Sequence, residues 1–540
     1  MKLSVPILFF SSLLASVGPL LASPHDDDLK PYIGKIISKI DIVRKNVFDD
    51  QMLSDPHFYF RWGNSLHIVT RESVIRRELL FDIGDTLDPQ LIIETERNMR
   101  GAGFIGEVEI AALPDGADAV ELTITTTDLW TTKPEIYLDL AGGNYTTGLA
   151  FTEGNLLGLG KYVQFLAQAG NDQDGYATFY IDNRLLGTRV AFDFTISDFT
   201  YSRGFSFNFT RPQYSLTIPY GLSLGVSNFR TKPRLFYQGD EYFRHRQNMT
   251  LGAFEGVYSL GYDRRLNLFA EYDYEKYDFS IELPGHSLND IIPADETISY
   301  PSLGSSLSMI RYDVERFLDA SGTPEDLTLG GSLKFKFGRS DDIFGADYTG
   351  KFHSVFLRFL ARPAKNLFIG ARDGISWWRN ERRNERIRHK NEFALYYKPF
   401  EMHLLAIHGL TDFAWRQRST YQVVLGGGSG LRGYSYYEFA GDKLAVGTIE
   451  YRFYSPITIL TVRLGAAAFL DIGNVWRRNQ RVDPGDFSSG AGVGLRFGLT
   501  KSSTSRVISL DFSRALSKDD YFIGFGTTTS FNLRNFSQDD

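Results

Sequence analysis

The sequence predicts a mainly β protein, a transmembrane antiparallel β-barrel preceded by one small α+β domain. Three observations predict it. Phe, Tyr and Gly number 43, 29 and 51 among 540 residues, yet mean hydropathy is slightly negative, which suits strands with one apolar and one polar face. Period-two alternation runs from about residue 135 to 531. Short connections ("RPAKN", "KPFEM", "YSPIT", "TKSSTSR") alternate with long ones (230–247, 278–300, 379–390, 425–442), the layout of an outer-membrane barrel with short turns on one side and long loops on the other.

The elements follow in order. Residues 1–23 carry one lysine, an apolar run and small residues near Ala22 and Ser23, which reads as a secretory signal peptide cleaved there. No other segment is apolar enough for a spanning helix. Residues 35–130 form a separate small domain with the order β-α-α-β-β. "GKIISKIDIVRKNVF" alternates as a strand, Ile36, Ser38, Ile40 and Ile42 against Ile37, Lys39, Asp41 and Val43. Thr70 is placed to cap a helix with the apolar stripe Val74, Ile75, Leu79 and Leu80. Asp88-Pro89 begins a second helix, and Gly101 and Gly103 stop it. Strands "GEVEIAAL" and "AVELTITTTDLW" follow, joined by "PDGAD".

The barrel is expected over 135–531, with 532–540 as a polar tail. In "RVAFDFTIS", Val190, Phe192, Phe194 and Ile196 share one face and Ala191, Asp193, Thr195 and Ser197 the other. "GFSFNFT" sets Phe205, Phe207 and Phe209 against Ser206, Asn208 and Thr210. "GTIEYRF" sets Ile449, Tyr451 and Phe453 against Thr448, Glu450 and Arg452. The count is about 20 candidate strands, an even number as single-chain bacterial barrels require.

Composition narrows the function. The chain has 58 Lys+Arg against 65 Asp+Glu, a net charge of -7, with no signature of nucleic-acid binding. It has no cysteine, which excludes disulfides, thiolate metal sites, cysteine nucleophiles and a lipoprotein anchor. Among nine histidines, His403 and His408 stand five apart on an expected strand and point to opposite faces. No Gly-x-Ser-x-Gly elbow, His-Glu-x-x-His or phosphate loop occurs. The chain therefore reads as no enzyme, with no catalytic residues, cofactor or metal. Glu153 and Asn155 read as turn residues beside Gly154 and Gly158. The basic run "RNERRNERIRHK" from Arg379 suits lipopolysaccharide phosphates, although its glutamates favour a solvated, charge-mixed loop.

The stretch "GGGSGLRGYSYYEF" ahead of the last five expected strands, together with "FDIGDTLD", "MRGAGFIGEVEI", "TEGNLLGLGKYVQF", "GTIEYRFYSPI" and "AAFLDIGNVW", resembles the BamA/TamA superfamily (bacterial surface antigen type). The resemblance spans nearly the whole mature chain. It implies a bacterial outer-membrane barrel of sixteen strands, fewer than the count, carrying a periplasmic POTRA domain at 35–130. It also implies a structural loop clasp. The loop glycines Gly426, Gly427, Gly428 and Gly430 let the segment bend into the lumen, where Arg432, with Gly433 and Tyr434 beside it, pairs with inward Glu450 and Asp471. Alternation independently puts Glu450 and Asp471 on polar faces, the latter opposite Leu464, Ala466, Ala468 and Leu470, and a guanidinium fork can hold both carboxylates.

The function implied is assistance in assembling or inserting other proteins into the outer membrane. Secretion of a dedicated partner through the lumen, and a passive pore or surface antigen, remain open. The implied partners are outer-membrane lipids and lipopolysaccharide, unfolded client proteins held by the POTRA sheet edge and the barrel seam, and accessory periplasmic proteins.

Overall fold

The small domain and the barrel are built from different packing units. The computed structural model describes residues 29–48, 58–262, 264–282, 291–501, 507–526, 531–533 and 536; the expected signal peptide lies outside them. The N-terminal domain comprises β1 (Ile36–Lys45), α1 (Phe58–Leu66), α2 (Glu72–Glu78), α3 (Pro89–Gly101), β2 (Ile105–Asp115) and β3 (Ala119–Asp128). Its sheet has the order β1-β3-β2, with β1 parallel to β3 and β2 antiparallel to it. The core gathers Ile37, Ile40, Ile75, Ile92, Met99 and Leu122.

Four expectations are corrected here. The order contains a further helix, α1, whose interior Gly63 weakens its helical signal but leaves room for the Phe48 ring. The register of β1 shifts between Ile37 and Lys39, so Ile37 and Ile40 are both buried and strict alternation is broken by a bulge. Thr70 does not cap α2; Arg71 occupies that position, and the Thr70 amide and hydroxyl instead donate to Asp128 at 2.7 and 2.9 Å. Leu79 and Leu80 lie past the end of α2. Asp88 does cap α3, accepting from the Gln90 amide at 2.9 Å.

The barrel strands are β4 (Thr132–Ala141), β5 (Asn144–Glu153), β6 (Lys161–Gly170), β7 (Gly175–Asp182), β8 (Ala191–Phe199), β9 (Ser202–Arg211) and β10 (Tyr220–Thr231). There follow β11 (Arg234–Tyr237), β12 (Asp240–Leu260), β13 (Arg264–Ile281), β14 (Glu296–Glu315), β15 (Glu325–Ser340), β16 (Gly350–Ala364), β17 (Leu367–Arg379), β18 (Asn384–Phe400) and β19 (His403–Trp415). The last are β20 (Val423–Leu425), β21 (Phe439–Gly441), β22 (Lys443–Ile459), β23 (Val462–Trp476), β24 (Ser488–Leu499), β25 (Val507–Ala515) and β26 (Tyr521–Gly526). The short β11 pairs with one end of β12, and β20 pairs with β21 as a separate ribbon. The other strands close an antiparallel barrel of twenty among the described residues. The count from alternation holds, and the sixteen implied by resemblance does not.

The stretches 230–247 and 379–390, expected as loops, are largely strand, and 278–300 is strand at both of its ends, up to Ile281 and from Glu296. At about 3.3 Å per residue the 21 residues of β12 reach far beyond a hydrocarbon core of about 30 Å, even when tilted. The hairpins of this wall therefore project past the membrane at the far mouth, the end away from the N-terminal domain. Charges of the run from Arg379 are spent within these hairpins: Arg386 pairs with Glu296, Arg388 with Asp412 at 2.6 Å and His389 with Asp373 at 2.9 Å.

Burial tells the two faces apart. Ile449, Tyr451 and Leu470 are exposed on the outside, while Thr448, Glu450, Arg452 and Asp471 are buried in the lumen. An apolar exterior around a charged interior is the inverse of a β-sandwich and matches a barrel in lipid.

Closure is uneven. β12 and β13 match over sixteen register pairs. β4 matches β5 over ten and β25 matches β26 over six. Between β26 and β4, where the ring closes, the described residues give one pair, Phe525 with Leu140. The described part of β26 is Tyr521–Gly526; the expected continuation towards Phe531 falls on residues 527–530, which lie outside the described residues, and Phe531 itself is not in a strand.

The N-terminal domain docks under the near mouth. Arg100 on α3 forks onto Asp326 at 2.8–3.2 Å. Asn98 donates to the Tyr214 carbonyl at 2.7 Å, and the Arg97 guanidinium lies 3.8 Å from the Tyr312 ring centre.

Candidate functional site: a lumenal arginine clasp beside the seam

Loop 416–442 enters the lumen from the far mouth. Two glycines make that path possible. Gly433 has φ +94° and lies against the Arg514–Ala515 backbone, and a side chain at Gly427 would meet the Gly142 backbone. Gly426 and Ser429 knot the loop, with the Leu431 amide donating to the Gly426 carbonyl at 3.1 Å. Gly430 also has positive φ, and Gly428 lies against the Tyr436 ring.

The knot presents Arg432 to three inward carboxylates. Its Nε and Nη2 donate to the two oxygens of Asp471 at 2.7 and 2.9 Å, and Nη1 donates to Glu450 at 2.9 Å. Asp511 accepts from Nη1 at 3.4 Å, and the Arg432 amide donates to Asp471 at 3.2 Å. The guanidinium lies 3.3 Å from the Phe469 ring centre. Thr448 adds a hydroxyl to Asp471 at 2.9 Å. The structure thus brings together Arg432, Glu450 and Asp471, each under a tenth exposed.

The cluster extends further than those residues. Glu450 accepts from Arg452 at 2.8 Å, and Arg452 reaches Asp319 at 2.9 Å in the near-mouth turn between β14 and β15. Arg496 pairs with Asp511 at 2.5 Å. A continuous polar relay therefore runs from the far-mouth loop to the near mouth. The sequence reading missed Asp319, Arg496 and Asp511. Arg496 and Asp511 were discoverable as charges on the polar faces of "VGLRFGL" and "ISLDFSR", whereas Asp319 sits in a turn with no period to mark it.

Tyr434 and Tyr436 fix the loop to both sides of the seam. The Tyr434 hydroxyl donates to the Ser489 carbonyl at 2.9 Å and meets Ser517 at 2.7 Å, in the turn that leads into β26. The Tyr436 amide donates to the Gly142 carbonyl at 2.9 Å, in the turn that leaves β4. The loop is a strap across the far end of the seam.

Glu153 and Asn155 lie in a turn, as read, and the turn also joins the two domains. Glu153 accepts from Thr131 at 2.8 Å and from the Asn155 amide at 2.7 Å. Asn155 donates to Thr70 at 2.8 Å. Behind that contact, burial pushes the Asp128 carboxyl up to about 6 against the opposing pull of the Thr70 hydrogen bonds. His408 faces the lumen beside Glu392 at 2.9 Å. His403 lies by Tyr451 on the outer face.

Residues 413–531, which hold the strap, all three carboxylates and the closing strand, match the Omp85 superfamily domain. Among solved structures, BamA from Haemophilus ducreyi lacking POTRA domains 1-3 is similar at 13% identity, covering 90% of this chain and 83% of that one, with a TM-score of 0.40. CdiB from Acinetobacter baumannii is similar at 13% identity, covering 92% and 73%, with a TM-score of 0.45. CdiB from Escherichia coli is similar at 13% identity, covering 91% and 76%, also at 0.45. No curated protein matches the chain.

Proposed function

We propose that the barrel, whose residues 413–531 match the Omp85 superfamily domain, is a barrel of the BamA/TamA type in the bacterial outer membrane, and that the protein assists the assembly of other proteins into that membrane. The observation that carries this reading is the seam. Among the described residues one register pair joins β26 to β4, against ten and six on the two flanking pairs. A strand edge with few backbone bonds to its neighbour is a template for an incoming strand.

The N-terminal domain is read as a POTRA domain in the periplasm. Its β2 is an edge strand, whereas the start of β1 is already bonded to residues 84–87 on its outer side. Extended client segments add to the β2 edge and are handed to the seam above it. The apolar outer face contacts lipid, and Arg379–Lys390 meets lipopolysaccharide with the few charges its hairpin partners leave over.

Reconstitution tests this. The protein in liposomes is given urea-unfolded outer-membrane barrels, and their folding is followed by the heat-modifiable gel shift. Folding well above that in empty liposomes supports assembly. Absence of acceleration, together with a large single-channel conductance that rises in Arg432→Ala, moves the function to secretion of a partner through a lumen plugged by the strap.

A further inference from the structure

The inner wall of a membrane barrel is ordinarily polar. Near the near mouth of this one, a stretch of inner wall is apolar: Leu327, Leu329, Leu360, Phe368, Leu404 and Ala406 are all at most 3% exposed. Water does not cover them. The chain's own C-terminal segment does, through Phe531, Leu533 and Phe536, which are 4%, 0% and 0% exposed. The expectation of a polar tail after Phe531 is corrected by these described residues, which sit in the lumen.

The seat is specific. Phe531 stacks on His408 with ring centres 4.7 Å apart and planes 1° from parallel. It meets Tyr396 edge-on at 6.0 Å, and the Arg452 guanidinium lies 5.0 Å from its ring centre. Phe536 fills the space over Gly370. Two backbone groups are read as well: the Leu533 amide donates to Asp319 at 2.7 Å, and Arg358 donates to the Phe536 carbonyl at 3.0 Å. Asp319 also accepts from Tyr396 at 2.7 Å and Arg452 at 2.9 Å, so the acceptor is held in place by the relay that ends at Arg432. Below the seat, a cavity of about 480 Å³ opens between the start of β2, residues 316–326 and Asn532.

We propose that this wall is a peptide-docking site for a segment with Phe-x-Leu-x-x-Phe spacing, occupied in cis by Phe531, Leu533 and Phe536 of the same chain. Aromatic and aliphatic side chains supply the fit, and Asp319 and Arg358 supply the backbone register. A second peptide of this chemistry, entering through the cavity, competes with the segment. The site stands whether the barrel assembles clients or secretes a partner, and its test uses no client.

The chain lacks cysteine, so an introduced pair reports cleanly. Gly370→Cys with Phe536→Cys places two sulfurs where a Cβ on residue 370 is 3.0 Å from the Phe536 Cβ, close enough for a disulfide after a small shift. The full-length double variant is expected to form that bond in the folded, heat-modifiable barrel. A folded barrel with free thiols under oxidation overturns the proposal. A shortened chain lacking residues 531–540 provides the second test, with a labelled synthetic peptide of sequence FNLRNF followed by fluorescence anisotropy. The expected result is saturable binding to the shortened chain, at least tenfold weaker with ANARNA and absent with the full-length protein. Equal binding to both proteins, or no binding to a shortened chain that remains heat-modifiable, overturns it.

Discussion

The seam and the opposite wall are made from the same kind of strand and do different things. β12 and β13 hold each other over sixteen register pairs, whereas β26 and β4 share one among the described residues. The wall is held by its backbone. Among the described residues the seam is held by single ties: the strap at its far end, and at its near end the Trp130 amide bonded to the Lys501 carbonyl at 3.1 Å. A ladder of many bonds opens only as a unit, whereas separate ties can be released one at a time.

Locking each site in turn breaks the comparison most sharply. Leu140→Cys with Phe525→Cys, a paired position at the seam, is expected to bring client folding down to the level of empty liposomes, with recovery on reduction. Tyr258→Cys with Leu268→Cys, a paired and outward-facing position in the opposite wall, is expected to leave client folding unchanged. Equal loss from both locks would show that the whole ring must flex.

The next effect is the strap. Arg432→Ala leaves Asp471 buried without its guanidinium partner, while Glu450 keeps Arg452, and unpaired buried charge costs about 3–5 kcal/mol. A lower unfolding midpoint in the heat-modifiable assay is the readout. Arg432→Lys is expected to recover only part, since an ammonium cannot fork onto two carboxylates. Tyr434→Phe removes two hydrogen bonds and should cost about 1 kcal/mol, with seam disulfide formation at Leu140→Cys/Phe525→Cys slower as the strap loosens.

The smallest effect is at the domain joint. Asp128 has its pKa raised to about 6 in the folded protein, so its neutral form is favoured there. Its contribution to docking is fully present below the ordinary carboxylate value and is lost as pH rises through about 6. His67, 3.7 Å away, is held below its usual value by burial and works in the opposite sense. The measurement is therefore the difference between wild type and Asp128→Asn, read as protease cleavage at the 129–131 joint from pH 4 to 7. The wild type should become more cleavable relative to the variant as pH rises.

Much of the wall was legible because alternation records which side of a strand meets lipid. Ile449 out and Glu450 in follows from period two alone, and twenty strands were countable the same way. The clasp needed more. Parity placed Glu450 and Asp471 in the lumen, but the choice of Arg432 as their partner came from the pattern of a family. What stayed hidden has a common cause: position decided by distant contacts. Asp319 lies in an aperiodic turn and matters through Arg452. Asn532 and its neighbours read as polar, since Leu533 and Phe536, two apolar residues in a short polar stretch, carry no period. α1 was masked by Gly63, which is there for the Phe48 ring rather than for the helix.

Phe536 lies inside the ring that β26 closes, and this sets an order in time. The seat of Phe536 is built from strands β15 to β19, which must be in place before the segment docks. Ring closure by β26 and seating of Phe536 are thus late events in the folding of each molecule, and the near mouth is the door for both.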